Sequence, residues 1–144
     1  DSSAASDVYK RQGQYVASQV IKRMISADIS PKSARVLVLG LAFKENCPDL
    51  RNTRVVDIVS ELTSYGSRVD IHDPWVDAAE AKAEYGIDLV AEPEPGAYDS
   101  IVIAVGHRKF AELGAAGIRR FGKPSSLVYD IKYVLPQGAA DDRL

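Results

Sequence analysis

The chain of 144 residues is 46% apolar and 26% charged, as is typical of a single globular domain. Its formal net charge of −2 excludes an overall positive field that would attract nucleic acid or an anionic membrane. The single cysteine, Cys47, excludes an internal disulfide framework, and no apolar run reaches bilayer length. With no signal peptide visible, these features predict a cytoplasmic protein.

The first thirty residues divide into two segments. Residues 1–12 are small and polar with little periodicity, which predicts a disordered tail or sequence foreign to the fold. Residues 13–30 are predicted to form a connector helix between domains. Its apolar stripe has i, i+4 spacing and consists of Val16, Val20, Ile21, Met24 and Ile25. This stripe suggests a helix that joins the domain to a region missing from the chain.

From residue 34 onward, apolar strands alternate with helices. The helices are predicted over 53–66, with Thr53 as N-cap, over 76–86, and near 108–113. Strands are predicted over 35–40, 67–73, 87–90, 99–105 and 126–132. This alternation predicts an α/β fold, a Rossmann-like doubly wound parallel sheet preceded by the connector helix.

The loop over 40–53 follows the first strand and so lies at the carboxyl edge of the sheet, where such folds bind ligands. Gly40 allows a tight turn, and Lys44 and Arg51 bring two positive charges to this edge. Because the further glycines of a dinucleotide fingerprint are absent, a diphosphate or nucleotide sugar suits the loop better than a dinucleotide. A charged surface loop without a ligand is about equally compatible with the spacing.

Several ordered motifs carry a resemblance to a known family. They are "GLAFKENCPDLRNTRVVDIVSEL" from Gly40, "VDIHDPW" (69–75), "VIAVGHRKF" (102–110), "VYDIKYVLP" (128–136) and the final "DDRL". Together they resemble the carboxy-terminal, UDP-binding domain of the UDP-glucose/GDP-mannose dehydrogenase family, over about residues 13–144. The Phe-Lys-Glu-Asn-Cys-Pro segment is most similar to the branch that oxidises UDP-N-acetylhexosamines for surface polysaccharides.

The resemblance implies a fragment of an NAD-dependent nucleotide-sugar 6-dehydrogenase, with the UDP-binding domain over 34–144. In this family NAD is bound mainly by an amino-terminal domain and a central helical region forms the homodimer; neither is in this chain. The glycine-rich motif with the catalytic cysteine is also missing, so the fragment is expected to be inactive alone. The expected partners are a UDP-sugar and the remaining domains, with no nucleic acid or membrane. The alternatives are a stand-alone, non-catalytic nucleotide-binding module and, less well supported, a complete small NAD-binding domain.

The resemblance also implies UDP contacts. Phe43 and Lys44 match the Phe-Lys pair that meets the nucleotide, although Phe43 could instead pack within the loop. Lys132 occupies the place of a substrate-contacting arginine in glucose-specific relatives; it keeps the charge and loses the fork geometry. Arg51 matches the arginine of an Asp-x-Arg motif, and its alternative role is a pair with Asp49 that shapes the loop.

The remaining candidates have no predicted catalytic or metal-binding role. Cys47 lies in the Phe-Lys loop rather than in the glycine-rich motif, so no catalytic residue is predicted. His107 follows a strand at the carboxyl edge and is expected to be structural or solvated. Asp73 is expected to anchor a loop in this family, although in a dinucleotide site an acidic residue there could hold a ribose.

Overall fold

A parallel sheet of four strands forms the centre of the computed structural model, which describes residues 2–143. The strands are β1 (Arg35–Leu39), β2 (Arg68–His72), β3 (Tyr98–Ile103) and β4 (Gly122–Asp130), in the spatial order β2-β1-β3-β4. The helices are α1 (Ser2–Ser26), α2 (Val55–Ser64), α3 (Ala78–Tyr85) and α4 (Arg108–Arg119), with a 3₁₀ turn at Pro31–Ser33. The predicted α/β, Rossmann-like doubly wound fold is confirmed.

The alternating side chains of β1 separate the core into two layers. Val36 and Val38 are fully buried with α1 and α2 on one face of the sheet, whereas Leu37 and Leu39 are fully buried with α4 on the other. A strand covered on both faces must be apolar at every position, which explains the continuous apolar run of β1. Its carboxyl end therefore lies between two helical layers.

Helix α1 differs from the prediction in its length. It begins at Ser2, so residues 2–12, predicted to be a disordered tail or sequence foreign to the fold, are helical. Alanine, lysine, arginine and glutamine in this stretch favour helix, and the packed segment that follows supplies the nucleus from which the helix extends. The buried side chains Ala17, Val20, Ile21 and Met24 lie on the sheet side, while Ile25, predicted in the stripe, is 58% exposed.

Helices α1 and α2 pack closely because Gly13 has no side chain. A Cβ atom at residue 13 would lie 2.7 Å from the Cβ atom of Asp57 in α2. The hydroxyl of Tyr129 in β4 also donates a 2.6 Å hydrogen bond to the carbonyl oxygen of Gln19. These contacts join α1 to the domain.

Three other elements differ from their predicted bounds. The predicted strand over 87–90 is reduced to one parallel bridge, between Ile71 and Leu89. The helical patch near 108–113 continues to Arg119 through a kink at Gly114. Helix α2 begins at Val55 with Arg54 as its N-cap, although the Thr53 hydroxyl accepts a 3.3 Å hydrogen bond from the Val55 N–H.

Gly40 allows β1 and the chain after β3 to approach each other. Its φ angle is 103°, and an added Cβ atom would lie 2.5 Å from the Cβ atom of Val105. Both the backbone conformation and the space exclude a side chain. The turn that leaves β1 is thereby held against the turn that leaves β3.

Among residues 2–143, none of the helices has the length and apolar character needed to span a bilayer.

Candidate functional site

A cleft of about 370 Å³ opens at the carboxyl edge of the sheet. Its lining comes from α1, the loop between β1 and α2, the turn after β3 and the chain after β4. The lining residues are Tyr9, Gln12, Gly13, Val16, Ala42, Phe43, Lys44, Glu45, Thr53, Arg54, Val55, Ile58, Ala104, Val105, Gly106, Ile131 and Lys132. The edge predicted from the sequence is therefore where the structure places a ligand-sized cleft.

Three cations line this cleft: Lys44, Lys132 and Arg54. Among the described residues, Glu45 supplies the only carboxylate of the lining, so the local charge is positive although the whole chain is slightly acidic. The first turn of α2 also lies here, and its partial positive charge adds to that of the side chains. An anion is the ligand that this distribution of charge favours.

Two aromatic rings accompany the cations. Phe43 is 51% exposed, which shows that it is not a core residue despite its size. Tyr9 lies beneath the guanidinium of Arg54, with the Cζ atom 4.1 Å from the ring centroid. A cleft with cations, exposed rings and an apolar floor has the chemistry of a nucleotide site, since a nucleotide combines phosphates with a planar base.

The predicted site residues are only partly brought together. Phe43, Lys44 and Lys132 share the cleft, whereas Arg51 does not line it. The Arg51 side chain is 86% exposed and makes a two-pronged pair with Asp49, at 3.1 Å from Nε to Oδ1 and 3.2 Å from Nη2 to Oδ2. The hydrogen bonds from Arg51 lower the pKa of Asp49. A contact between Arg51 and UDP stays a prediction.

Asp73 anchors the turn after β1. Its buried carboxylate accepts hydrogen bonds from the backbone N–H groups of Leu41 at 2.7 Å, Ala42 at 2.9 Å and Trp75 at 2.8 Å. Burial raises the pKa of Asp73, but these bonds and one from His107 outweigh it and lower the pKa overall. The anchoring role expected for Asp73 agrees with this geometry.

The amide protons of this turn are consequently not available to a ligand. In a dinucleotide fingerprint, the N–H groups after the strand face a pyrophosphate. Here those of Leu41 and Ala42 face the Asp73 carboxylate. An anion in the cleft must therefore be bound mainly by side chains, and the turn does not fit the pyrophosphate of a dinucleotide.

A second anchored loop carries Lys132. The buried carboxylate of Asp130, at the end of β4, accepts hydrogen bonds from the N–H groups of Val134 at 3.0 Å and Leu135 at 2.8 Å. The loop also contains Tyr133 in a left-handed conformation, with φ of 55°. Lys132 therefore lies in a turn that the carboxylate of Asp130 closes.

Sequence reasoning missed several residues of the site. Arg54 and Tyr9 could be assigned to it only once α1 was seen to reach the cleft. Asn46, whose backbone N–H donates a 2.9 Å hydrogen bond to Nδ1 of His107, and Asp130 act through backbone groups, for which the sequence gives no spacing signal. A left-handed conformation is common for asparagine, so Asn46 within a polar loop was the one available hint.

The fold and the cleft define a doubly wound α/β domain that presents cations and aromatic rings to an anionic ligand. Residues 37–137 match the family model of the UDP-glucose/GDP-mannose dehydrogenase family, UDP binding domain. The chain therefore belongs to this family, as the sequence motifs predicted.

Curated relatives agree with this assignment. The chain is 52% identical over 132 residues to the UDP-N-acetyl-D-glucosamine 6-dehydrogenase of Salmonella typhi and 53% identical over 132 residues to that of Pseudomonas aeruginosa. Each match covers 92% of this chain and 31% of the relative, so the chain spans about a third of their length.

Solved structures show the same fold. The structure of a UDP-D-ManNAc dehydrogenase from Pyrococcus horikoshii superposes with a TM-score of 0.74 at 22% identity. The superposition covers 92% of this chain and 30% of that one.

Proposed function

We propose that this chain is the UDP-sugar-binding part of an NAD-dependent nucleotide-sugar 6-dehydrogenase. The complete enzyme would oxidise a UDP-hexose or UDP-N-acetylhexosamine to the uronic acid for surface polysaccharide synthesis. The observation that carries the proposal is the cleft at the carboxyl edge, where Lys44, Arg54 and Lys132 lie beside Phe43 and Tyr9. The names of the two relatives that are more than half identical favour the N-acetylhexosamine as the sugar.

Each group in the cleft has a role in this proposal. Lys44 and Lys132 donate charged hydrogen bonds to the diphosphate, and Arg54 adds a planar donor held over the Tyr9 ring. Phe43 offers a partly exposed ring on which uracil can stack. Arg51 stays a predicted contact, which requires its guanidinium to leave Asp49.

NAD would be bound by a region outside this chain and would supply the hydride acceptor for the two oxidation steps. The turn after β1 supports this division, because Asp73 occupies the N–H groups that a dinucleotide pyrophosphate would need. The present chain would instead contribute binding energy remote from the reacting carbon, which orients that carbon. Closure of this domain over the substrate would also exclude water. A homodimeric, cytoplasmic enzyme is part of the same proposal.

The test is calorimetric titration of the chain with UDP and, separately, with NAD. We expect UDP to bind and NAD to give no saturable heat. Lys44→Ala and Lys132→Ala should each weaken UDP binding roughly tenfold or more, since each removes a charged hydrogen bond. Arg51→Ala should weaken UDP binding by less than either lysine substitution, because the guanidinium must leave Asp49 before it can contact UDP.

Lys82→Ala is the matched control, because Lys82 is a lysine outside the cleft that pairs with Asp88 at 3.1 Å. Its UDP affinity should equal that of the unaltered chain. Binding of NAD without binding of UDP would contradict the proposal. Equal losses in Lys82→Ala and Lys44→Ala would show that the cleft is not where UDP binds.

A further inference from the structure

We propose that His107 is a positioning residue, which sets the affinity of the cleft for UDP by fixing the loop that carries Phe43 and Lys44. This inference rests on the proposed function. His107 lies at the N-cap of α4 and is completely buried. It does not line the cleft, so any effect on the ligand must pass through the loop.

The two nitrogens of the His107 ring have different partners. Nδ1 lies 2.9 Å from the backbone nitrogen of Asn46, and Nε2 lies 3.0 Å from Oδ2 of Asp73. A backbone N–H can only donate, so Nδ1 must be the unprotonated acceptor, and Nε2–H donates to the carboxylate. The ring is therefore the neutral Nε2–H tautomer.

Asn46 is tied to the same helix end a second time. Its Oδ1 atom accepts a 2.8 Å hydrogen bond from the N–H of Arg108. Its backbone is left-handed, with φ of 55°. The pair of hydrogen bonds forms a latch between Asn46 and residues 107–108.

The latch completes the restraint on a short loop. Asp73 fixes Leu41 and Ala42 at one end, and His107 fixes Asn46 at the other. Phe43 and Lys44 lie between these anchors, and the side chains of both are exposed. The Phe43 N–H also donates a 2.8 Å hydrogen bond to the carbonyl oxygen of Asp49 within the loop. The two anchors fix the position of this loop relative to the cleft, and His107 belongs to both anchors because it also binds Asp73.

The first test is the tautomer. The chain has two histidines, so its long-range ¹H–¹⁵N correlation spectrum contains the signals of two imidazole rings. The signals that disappear in His72→Gln belong to His72, and the others belong to His107. We expect the His107 ring to show a protonated Nε2 and an unprotonated Nδ1 at neutral pH. An Nδ1–H tautomer or a doubly protonated ring would overturn the latch, whether or not UDP binds.

The second test separates the two hydrogen bonds of the ring. His107→Asn places an oxygen near Nδ1 and keeps an acceptor for Asn46, whereas His107→Gln places an amide near Nε2 and keeps the donor to Asp73. We expect UDP affinity to fall roughly tenfold in His107→Gln and by less than about threefold in His107→Asn. Hydrogen exchange at the Asn46 amide should accelerate in His107→Gln and not in His107→Asn.

His72→Gln is the control, because its Nδ1 atom bonds only to the Val90 carbonyl, at 2.8 Å, and His72 does not line the cleft. Equal loss of affinity in both His107 variants, in proportion to lost stability, would reduce the residue to a purely structural role and overturn the proposal. Should neither variant fold, Asn46→Gly keeps the left-handed backbone and its N–H but removes the bond to Arg108. That variant should bind UDP several-fold more weakly with only a small fall in melting temperature, since one exposed hydrogen bond is lost. Unchanged binding would contradict the latch.

Failure of the underlying function is distinguishable from failure of the latch. If the unaltered chain does not bind UDP, the proposed ligand is wrong. The tautomer and the exchange of the Asn46 amide then still show whether His107 holds the loop.

Discussion

At the scale of single residues, the central feature is a buried carboxylate that takes the place of a bound anion. Asp73 accepts the N–H groups of Leu41 and Ala42, which point where a phosphate lies in a dinucleotide turn. The negative charge at this position is thus part of the protein. The consequence is that cations on flexible side chains, rather than rigid backbone amides, must recognise the ligand.

Replacement of Asp73 by asparagine should lower the free energy of unfolding by about 3 kcal/mol at pH 7, since an amide offers one acceptor oxygen and leaves an N–H group buried without a partner. Asp77→Asn, at the exposed N-cap of α3, is the matched control and should cost about 1 kcal/mol or less. Urea unfolding measures both differences.

The lowered pKa of Asp73 predicts that the stability of the unaltered chain and that of Asp73→Asn depend differently on pH. A carboxyl whose pKa is lowered by folding adds stability above its unfolded value, about 3.9, and this contribution is lost as the pH falls through the lowered pKa. The unaltered chain should therefore lose stability more steeply below about pH 4 than Asp73→Asn does. Parallel curves between pH 5 and 3 would show that Asp73 does not carry this dependence.

At the scale of elements, α1 is a wall of the cleft as well as a helix of the core. Tyr9, Gln12, Gly13 and Val16 line the cleft, while Val20 and Met24 are buried in the core. The cleft therefore contains residues from both sides of the predicted boundary between a connector over 13–30 and a domain beginning at 34. The domain bounds predicted from the sequence remain a proposal.

Gly13→Ala should separate α1 from α2. The new methyl group would lie 2.7 Å from the Asp57 Cβ atom, so the helices must move apart. We expect a net loss of about 1–2 kcal/mol, because overpacking exceeds the helix propensity gained. UDP affinity should also decrease. Lys22→Ala, on the exposed side of α1, is the control and should leave both quantities unchanged; equal melting temperatures for the two variants would contradict the tight packing.

The sheet could be predicted from the sequence because burial on both faces requires continuous apolar runs, as in Val36–Leu39. The predicted strand over 87–90 was wrong, because this short apolar segment pairs with β2 through a single bridge, between Leu89 and Ile71. Lys44 could be predicted because the strand ends of a parallel sheet converge at one edge, whereas Phe43 and Lys132 were predicted from their resemblance to the family motifs. Arg54, Tyr9 and Asn46 were not, because their places depend on tertiary packing and a left-handed turn.

At the scale of the whole molecule, the chain should bind without catalysing. With UDP at 100 times its dissociation constant, the free energy of unfolding should rise by about 2.7 kcal/mol. The same sample, given NAD and a UDP-N-acetylhexosamine, should produce no NADH, since the proposed NAD domain and catalytic motif are outside this chain. Calorimetric melting and absorbance at the NADH band measure the two effects. Robust NADH formation would contradict the division of roles.

The cleft also constrains the order in which the molecule can be completed during synthesis. Tyr9 and Lys132 both line the cleft and are separated by nearly the whole sequence. The ribosome must therefore release β4 and the loop after it before any ligand can find a finished site. Contacts so distant in sequence form slowly, and until they form the apolar edge of β3 has no partner strand. A nascent chain stalled before residue 122 would expose that edge to other proteins, and addition of UDP could not rescue it.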